Sequence, residues 1–338
     1  MSTVTDEIRS DFNVTSEAPS AGPFTGDFLW RDHAGEDVLW LMNNNTPSTI
    51  AALPTVTPDW HVKAAADFDG TTGNRDADIL WQNDNGALAL WQMTGTSVTA
   101  MHALPNPGPT WHVVGDNDFN GDSGDDVLFR NDNGSLAMWT GINPATGTVS
   151  GMFAGTQNPG PSWHVVGSGD TDGDTLQRAE ILWQNDNGAL ALWENPVFLN
   201  LPFVGDIFTF STVAALPSVD PSWHVKGMAD INANGRADIV FQHDSGAVAV
   251  WEMGGAAGTT VTAMNLVNLG GTDPSPAWHV IGLRDVDGDA HADILLQNDN
   301  GAAAVWEDYT PYGAGLATFL PFAITPSPNP NGHVWDLL

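Results

Sequence analysis

The chain has 338 residues and carries 41 Asp and Glu against 9 Lys and Arg, a formal net charge of −32. Such a balance works against a nucleic-acid partner, because affinity for phosphate backbones comes largely from cationic side chains. It has no cysteine, which excludes a disulfide framework and any thiolate metal site or nucleophile, and no apolar run approaches the roughly 20 residues of a membrane-spanning helix. Only 15% of residues are charged, so the carboxylates are concentrated, and the places where they cluster are short loops.

Residues 1–24 are polar and rich in Ser, Thr and Glu, and are expected to form a flexible N-terminal segment. They lack the basic region and apolar run of a secretory signal. From residue 25 onward the chain repeats. A worn copy of a strand, Asp27-Phe28-Leu29-Trp30, leads to Trp40 and opens the first unit. The second begins with Trp60-His61-Val62 and continues as Asp78-Ile79-Leu80-Trp81-Gln82-Asn83-Asp84-Asn85-Gly86-Ala87-Leu88-Ala89-Leu90-Trp91. The Trp-His-Val string recurs at Trp111, Trp163, Trp223 and Trp278, and the longer string around Phe129 to Trp139, Trp183 to Trp193, Phe241 to Trp251 and Leu296 to Trp306. A degenerate His333-Val334 ends the series. Successive third-strand tryptophans are 48 to 58 residues apart.

Within each unit, short β-branched and aromatic runs are punctuated by Gly, Asn, Asp and Pro, with no long helical period. The Asn-Asp-Asn-Gly segments supply the positive-φ residues of tight hairpins, so their flanks should pair antiparallel. Four such strands per unit at this period describe the blades of a propeller. The expected fold is all-β: a six-bladed β-propeller of residues 25–338, with four antiparallel strands per blade. The first unit lacks a Trp-His-Val strand before Asp27 and the last copy, Gly332 to Leu338, has nothing after it, so the C-terminal strand should close the first blade and remove exposed sheet edges. All fifteen tryptophans fall in or beside these columns. Such repetition points to packing between blades, and the histidine after each first-strand tryptophan is read as a structural, hydrogen-bonded residue.

Between the first and second strands of each unit lies an acidic loop. Asp230, Asn232, Asn234 and Asp238 occupy loop positions 1, 3, 5 and 9; Asp285, Asp287, Asp289 and Asp293 do the same, as do Asp118, Asn120, Asp122 and Asp126. Calcium takes six to eight hard oxygen ligands in flexible geometry, which alternate side chains of a tight loop can supply together with a backbone carbonyl. Magnesium would require a stricter octahedron, and zinc would favour His or Cys. Two loops are enlarged. Asp67, Asp69 and Thr71 precede Asp76 and Asp78, and Asp170, Asp172 and Asp174 are followed by two extra residues before Glu180. The expectation is three to five Ca2+ ions, one per loop, with the sixth junction at the chain ends empty.

The acidic loop combined with Ala-Asp-Ile-Leu-Trp-Gln-Asn-Asp-Asn-Gly resembles the FG-GAP/VCBS-type repeats of secreted bacterial proteins, which are similar to the calcium-binding blades of integrin α-subunits. The resemblance covers Gly26 to Leu338. It implies a calcium-stabilised propeller of extracellular or cell-surface location, in a class that includes lectins, adhesion modules and non-catalytic parts of polysaccharide-degrading enzymes. The favoured reading is a carbohydrate-binding lectin directed at a glycan. A protein-interaction or adhesion propeller is the alternative, and a polysaccharide-acting enzyme comes third, since no nucleophile elbow, phosphate loop or His-rich metal motif occurs. Differences between units bear on the ligand. The link from Trp91 to Trp111 spans twenty residues and that from Trp193 to Trp223 thirty, with an apolar insertion at Pro196 to Phe210. The last unit carries the only tyrosines, Tyr309 and Tyr312, which are candidate ligand contacts or, alternatively, packing residues.

Overall fold

The computed structural model describes residues 27–32, 35–43, 46–68, 70, 77–174, 176–202, 205–267, 275–287, 289–313, 316–323 and 335–337. The expected flexible segment 1–24 lies outside them.

The chain is all-β, in four-stranded antiparallel meanders of the propeller type. The first unit holds β1 (Phe28–Asp32), β2 (Asp37–Asn43) and β3 (Thr46–Ala52); the second, β4 (Trp60–Ala66), β5 (Asp78–Asn83), β6 (Leu88–Thr94) and β7 (Ser97–Leu104). The third has β8 (Trp111–Asn117), β9 (Asp126–Asn131), β10 (Leu136–Asn143) and β11 (Thr148–Gly155); the fourth, β12 (Trp163–Gly169), β13 (Glu180–Asn185), β14 (Leu190–Leu201) and β15 (Gly205–Leu216). The fifth comprises β16 (Trp223–Ala229), β17 (Asp238–His243), β18 (Val248–Gly254) and β19 (Thr260–Val267). The last has β20 (Trp278–Arg284), β21 (Asp293–Asn298), β22 (Ala303–Gly313) and β23 (Leu316–Ala323), and β24 (Trp335–Leu337) ends the chain.

Strand character follows burial. β5 is buried along its whole length, whereas β7 alternates and shows one face to solvent, as expected of a central and an outer strand. The Asn83 to Gly86 hairpin closes as its sequence demands. Gly86 sits at φ +85° with its N–H donating to Asn83 O at 2.8 Å, and a Cβ there would fall 2.2 Å from the backbone of Gly108. In the first strand of units two to six an extra residue (Lys63, Val114, Val166, Lys226 or Ile281) breaks the register with the second strand. Such bulges increase local twist.

Closure by the C-terminus is present, because β24 pairs antiparallel with β1. The register differs from the sequence reading. Trp335 lies opposite Asp32 and Leu337 opposite Trp30, as Trp60 and Val62 lie opposite Asn83 and Trp81. Trp335-Asp336-Leu337 therefore occupies the Trp-His-Val column, and His333-Val334, outside the described residues, precedes it. Pairing selects the segment that reaches β1, and a short string match cannot.

Apolar clusters lie between successive units. Leu29 and Leu53 pack with Val62, Ile79 and Trp91; Ala66 and Leu90 with Val113 and Trp139; Leu128 and Met138 with Ile181 and Trp193; Leu182 and Leu192 with Met228 and Trp251; Val240 and Val250 with Ile294 and Trp306. A further cluster joins the last unit to the first through Val286, Leu295 and Val305 against Phe28, Trp30 and Trp40. Arg284 also donates through Nη1 to Asp27 O across that junction.

Candidate metal centres

The acidic loops join the first and second strands of their units, and each is closed by its own carboxylates. The first-position aspartate folds the loop back by accepting backbone N–H groups: Asp118 takes those of Gly121, Asp122 and Ser123 at 2.6, 3.2 and 2.8 Å. Asp230 takes Asn234 and Gly235, Asp285 takes Asp289 and Ala290, Asp170 takes Gly173 and Asp67 takes Gly70. The last carboxylate begins the second strand, and in the third to sixth units it accepts the N–H of loop position 2. These bonds run from Phe119 to Asp126, Thr171 to Glu180, Ile231 to Asp238 and Val286 to Asp293, at 2.8 to 3.2 Å. Asp78 and Asp238 also reach the third strand, accepting from Met93 and Met253.

The loops are linked to one another. The N–H before the last carboxylate of one loop donates to the carbonyl of the first aspartate of the preceding loop: Asp125 to Asp67, Ala179 to Asp118, Ala237 to Asp170 and Ala292 to Asp230, at 2.6 to 2.9 Å. Side chains add to this, with Arg236 Nη1 donating to Thr171 O at 2.9 Å and His291 Nδ1 lying 3.2 Å from Ile231 O. Sequence spacing carries no sign of this chain of loops.

Burial and crowding push the carboxylates toward the neutral form. Burial raises Asp118 and Asp230 above the usual range and Asp170 to about 6. Burial, reinforced by neighbouring carboxylates, raises Glu180 to about 8, Asp238 to about 8 and Asp293 to about 9, and holds Asp126 well above its ordinary value. Charges gathered in a partly dry loop are relieved either by protons or by a cation.

The donor set suits a hard cation. Ligand oxygens of Asp170, Asp172 and Glu180 lie within 4.8 Å of one another, as do those of Asp285, Asp287 and Asp289, a spread compatible with oxygens about 2.3–2.6 Å from one Ca2+. The third loop holds Asp118, Asn120, Asp122 and Asp126 together, with Asn120 Nδ2 donating to Asp122 Oδ2 and Asp126 Oδ1 at 3.0 and 3.2 Å. A half-turn of that amide would present its oxygen instead. In the fifth, the Asn234 N–H is shared by Asp230 Oδ1 and Asn232 Oδ1, and the Ile231 N–H donates to Asp238 Oδ2. In the fourth, Asp174 faces Arg178 Nη2 at 3.0 Å and is not among the three gathered carboxylates. Asp69, Thr71 and Asp76 lie outside the described residues, leaving Asp67 and Asp78 of the second loop.

A set of acidic residues next to the loops escaped sequence reasoning. Glu194, Glu252 and Glu307 follow the third-strand tryptophans, and the strand registers place them beside the last loop carboxylates Glu180, Asp238 and Asp293. Glu194 and Glu307 are buried and Glu252 is half-buried. The legible signal was Trp-Glu in the last three units where the second and third have Trp-Gln92 and Trp-Thr140.

Of the ligand candidates, Tyr309 is accounted for by packing. Tyr309 is 6% exposed, donates to Glu252 Oε1 at 2.8 Å and accepts from Asn265 Nδ2 at 2.7 Å, so its surroundings fit a contact between the last two units and not an open ligand surface. The side chain of Tyr312 lies outside the described residues. The insertion after Trp193 lengthens β14 and β15 into a long hairpin whose outer strand pairs parallel with β11 of the third unit, where Phe153, Phe198, Phe208 and Phe210 meet. The lengthened β22 and β23 reach β19 in the same way. Both unit-specific features join units together. Each histidine of the Trp-His-Val column bonds the aspartate of its own Asn-Asp-Asn-Gly-type turn: His61 with Asp84, His112 with Asp132, His164 with Asp186, His224 with Asp244 and His279 with Asp299, at 2.7 to 2.8 Å.

No family model matches the chain, and no curated protein matches it. Among solved structures, similarity is found to BBS1N in complex with ARL6DN, at 12% identity over 84% of this chain and 74% of that one with a TM-score of 0.40. A chain of the mitotic checkpoint complex is similar at 11% identity over 92% and 88%, with a TM-score of 0.42. Raptor of Chaetomium thermophilum is similar at 10% identity and a TM-score of 0.44, over 89% of this chain and 24% of that one.

Proposed function

We propose that this protein is a six-bladed β-propeller of the FG-GAP/VCBS type whose acidic loops bind Ca2+, three to five ions in all, and that it serves as an extracellular binding module. Carbohydrate is the favoured ligand. The observation carrying the metal reading is the convergence of the Asp285, Asp287 and Asp289 oxygens, and of the Asp170, Asp172 and Glu180 oxygens, within 4.8 Å. Binding in place of catalysis is favoured because the described loop carboxylates are engaged in holding their own backbones. The carbohydrate assignment rests on the amide-rich turns after the second strands, whose exposed Asn85, Asn133 and Asn187 suit sugar hydroxyls. Glycan-array binding with and without a chelator tests it: calcium-dependent retention of a glycan class supports the lectin, and no retention in either condition removes it.

A protein ligand is the second reading, favoured by one repeated feature. Ile50, Met101, Met152, Val213 and Met264 stand opposite the third-strand tryptophans and are 44 to 53% exposed. A contiguous exposed apolar patch is a mark of protein contact, and the recurrence of these side chains at one strand position in five units is what supports this reading. Substituting Met101 and Met152 with Lys would abolish a rim-bound protein partner and leave glycan retention intact.

A further inference from the structure

The fourth loop departs from the others in two ways that fit together. Eleven positions separate Asp170 from Glu180, inclusive, against nine from Asp230 to Asp238, and the enlargement admits Arg178. That guanidinium holds Asp174 Oδ2 at 3.0 Å and Asn195 Oδ1 at 3.1 Å. The fifth-position carboxylate is thereby drawn to one side, while Asp170, Asp172 and Glu180 remain gathered.

Glu194 stands on the third strand beside this group. The register of Ile181 with Trp193 sets it next to Glu180, and Asp172 lies near enough to act on it by charge. It is 1% exposed and its Oε1 accepts no hydrogen bond. A buried carboxylate oxygen without a donor is costly. The equivalent residue of the fifth unit shows the usual remedy, since Glu252 Oε1 accepts from both Tyr309 and Asn265 at 2.8 and 2.9 Å. Glu194 has no such pair, and the oxygen left over belongs to a residue set beside Glu180 by the strand register and close to Asp172, two of the three gathered carboxylates.

We propose that Glu194 is a direct ligand of the cation in the fourth loop, taking the place that spacing alone would give to Asp174. The site is then Asp170, Asp172, Glu180 and Glu194, drawn from a loop and two strands. Four carboxylates around one divalent ion favour a hard, oxygen-seeking cation such as Ca2+. Arg178 lies at the edge of the group and offsets part of the remaining negative charge. The proposal rests on the calcium reading of the loops.

The test is calcium binding by calorimetry on the full chain, comparing wild type, Glu194→Gln, Glu194→Asp and Asp174→Asn, with melting curves in calcium and in chelator. The expected result is loss of one ion, or weakening of one site by about tenfold or more, in both Glu194 variants, with the count unchanged in Asp174→Asn. Glu194→Gln should also melt higher than wild type in chelator, because the donorless buried charge is gone, and gain less from calcium. Wild-type stoichiometry in Glu194→Gln, with a site lost in Asp174→Asn, overturns the assignment and leaves the loop reading standing. A wild-type chain that takes up no calcium overturns both.

Discussion

The side-chain amide of Gln82 donates to the carbonyl of Trp111 at 2.7 Å and accepts the N–H of Val113 at 3.1 Å, fastening the second strand of one unit to the first strand of the next. Gln184 does the same to Trp223 and Val225, and Gln242 to Trp278 and Val280. In the third unit Arg130 takes the position, donating to Trp163 O and, at 2.7 Å, to Gly160 O. The amide serves a sheet edge: the first strand is the last of its sheet, so the backbone groups on its outer side have no strand partner.

Gln82→Ala should therefore destabilise the protein beyond its small loss of volume. It leaves a buried N–H and a half-buried carbonyl without partners, at a cost on the order of 2 kcal/mol. Chemical unfolding of this variant beside an exposed control, Gln157→Ala excluded because Gln157 bonds Phe210, measures the difference. A change within experimental error would mean that water replaces the amide.

Trp91→Ala should act on stability. Trp91 is buried against Trp81, with ring centroids 4.9 Å apart at 51°, and truncating such a residue typically costs about 3 to 5 kcal/mol. A variant that melts like wild type yet loses its ligand would place the column in a binding surface.

Calcium removal should lower the melting temperature, more so at low ionic strength. Five divalent ions would bring the formal charge from −32 to about −22, a count that follows from one ion per loop. Ions that bind only the folded chain stabilise it by about 2.7 kcal/mol at a hundredfold excess over their dissociation constant, and salt screens the repulsion left behind. Asp230→Ala is expected to abolish calcium binding in the fifth loop, because it removes the carboxylate that accepts the N–H groups of Asn234 and Gly235 and folds that loop. Coincident melting curves in calcium, chelator, and chelator with added salt would refute the metal reading.

Asp37 gives a pH dependence of its own. It lies in β2 opposite Arg31, in the column held by Leu88, Leu136 and Leu190 in the next three units. Its carboxylate oxygens accept no hydrogen bond and Arg31 Nη1 stands 3.7 Å away. Burial, only partly countered by Arg31, raises it to about 7. An acid raised in the folded state favours folding while protonated. Its contribution is full below its ordinary value near 3.8 and is lost as the pH climbs through about 7, a change of about 4 kcal/mol for a shift of this size. Asp37→Asn should thus be more stable than wild type above pH 7 and converge with it near pH 4. Parallel stability profiles from pH 4 to 8, in saturating calcium, would count against this account.

The repeat, the four-stranded meander, the hairpins at Gly86 and its equivalents, and the closing of the first unit by the last strand are legible in the sequence. Each depends on local chemistry: alternation of side chains along a strand, a residue free to take positive φ, and a string that returns at a regular interval. Spacing likewise marked Asp118, Asp230 and Asp285 as heads of loops, because three or four oxygens at alternate positions meet without help from elsewhere in the chain. Tertiary structure decided the rest. Trp335 took the place of the His333-Val334 remnant because pairing with Asp32, some three hundred residues away, selects the register. Tyr309 is buried because Glu252 and Asn265 of the neighbouring unit need its hydroxyl. The insertion from Pro196 to Phe210 became a strap onto β11, and the loops became a linked series, through backbone bonds between units. Arg178 holds Asp174, and Glu194 lies buried beside Glu180, through contacts between loop and strands. No periodicity reports such contacts, because they depend on which surfaces face one another after the ring has formed.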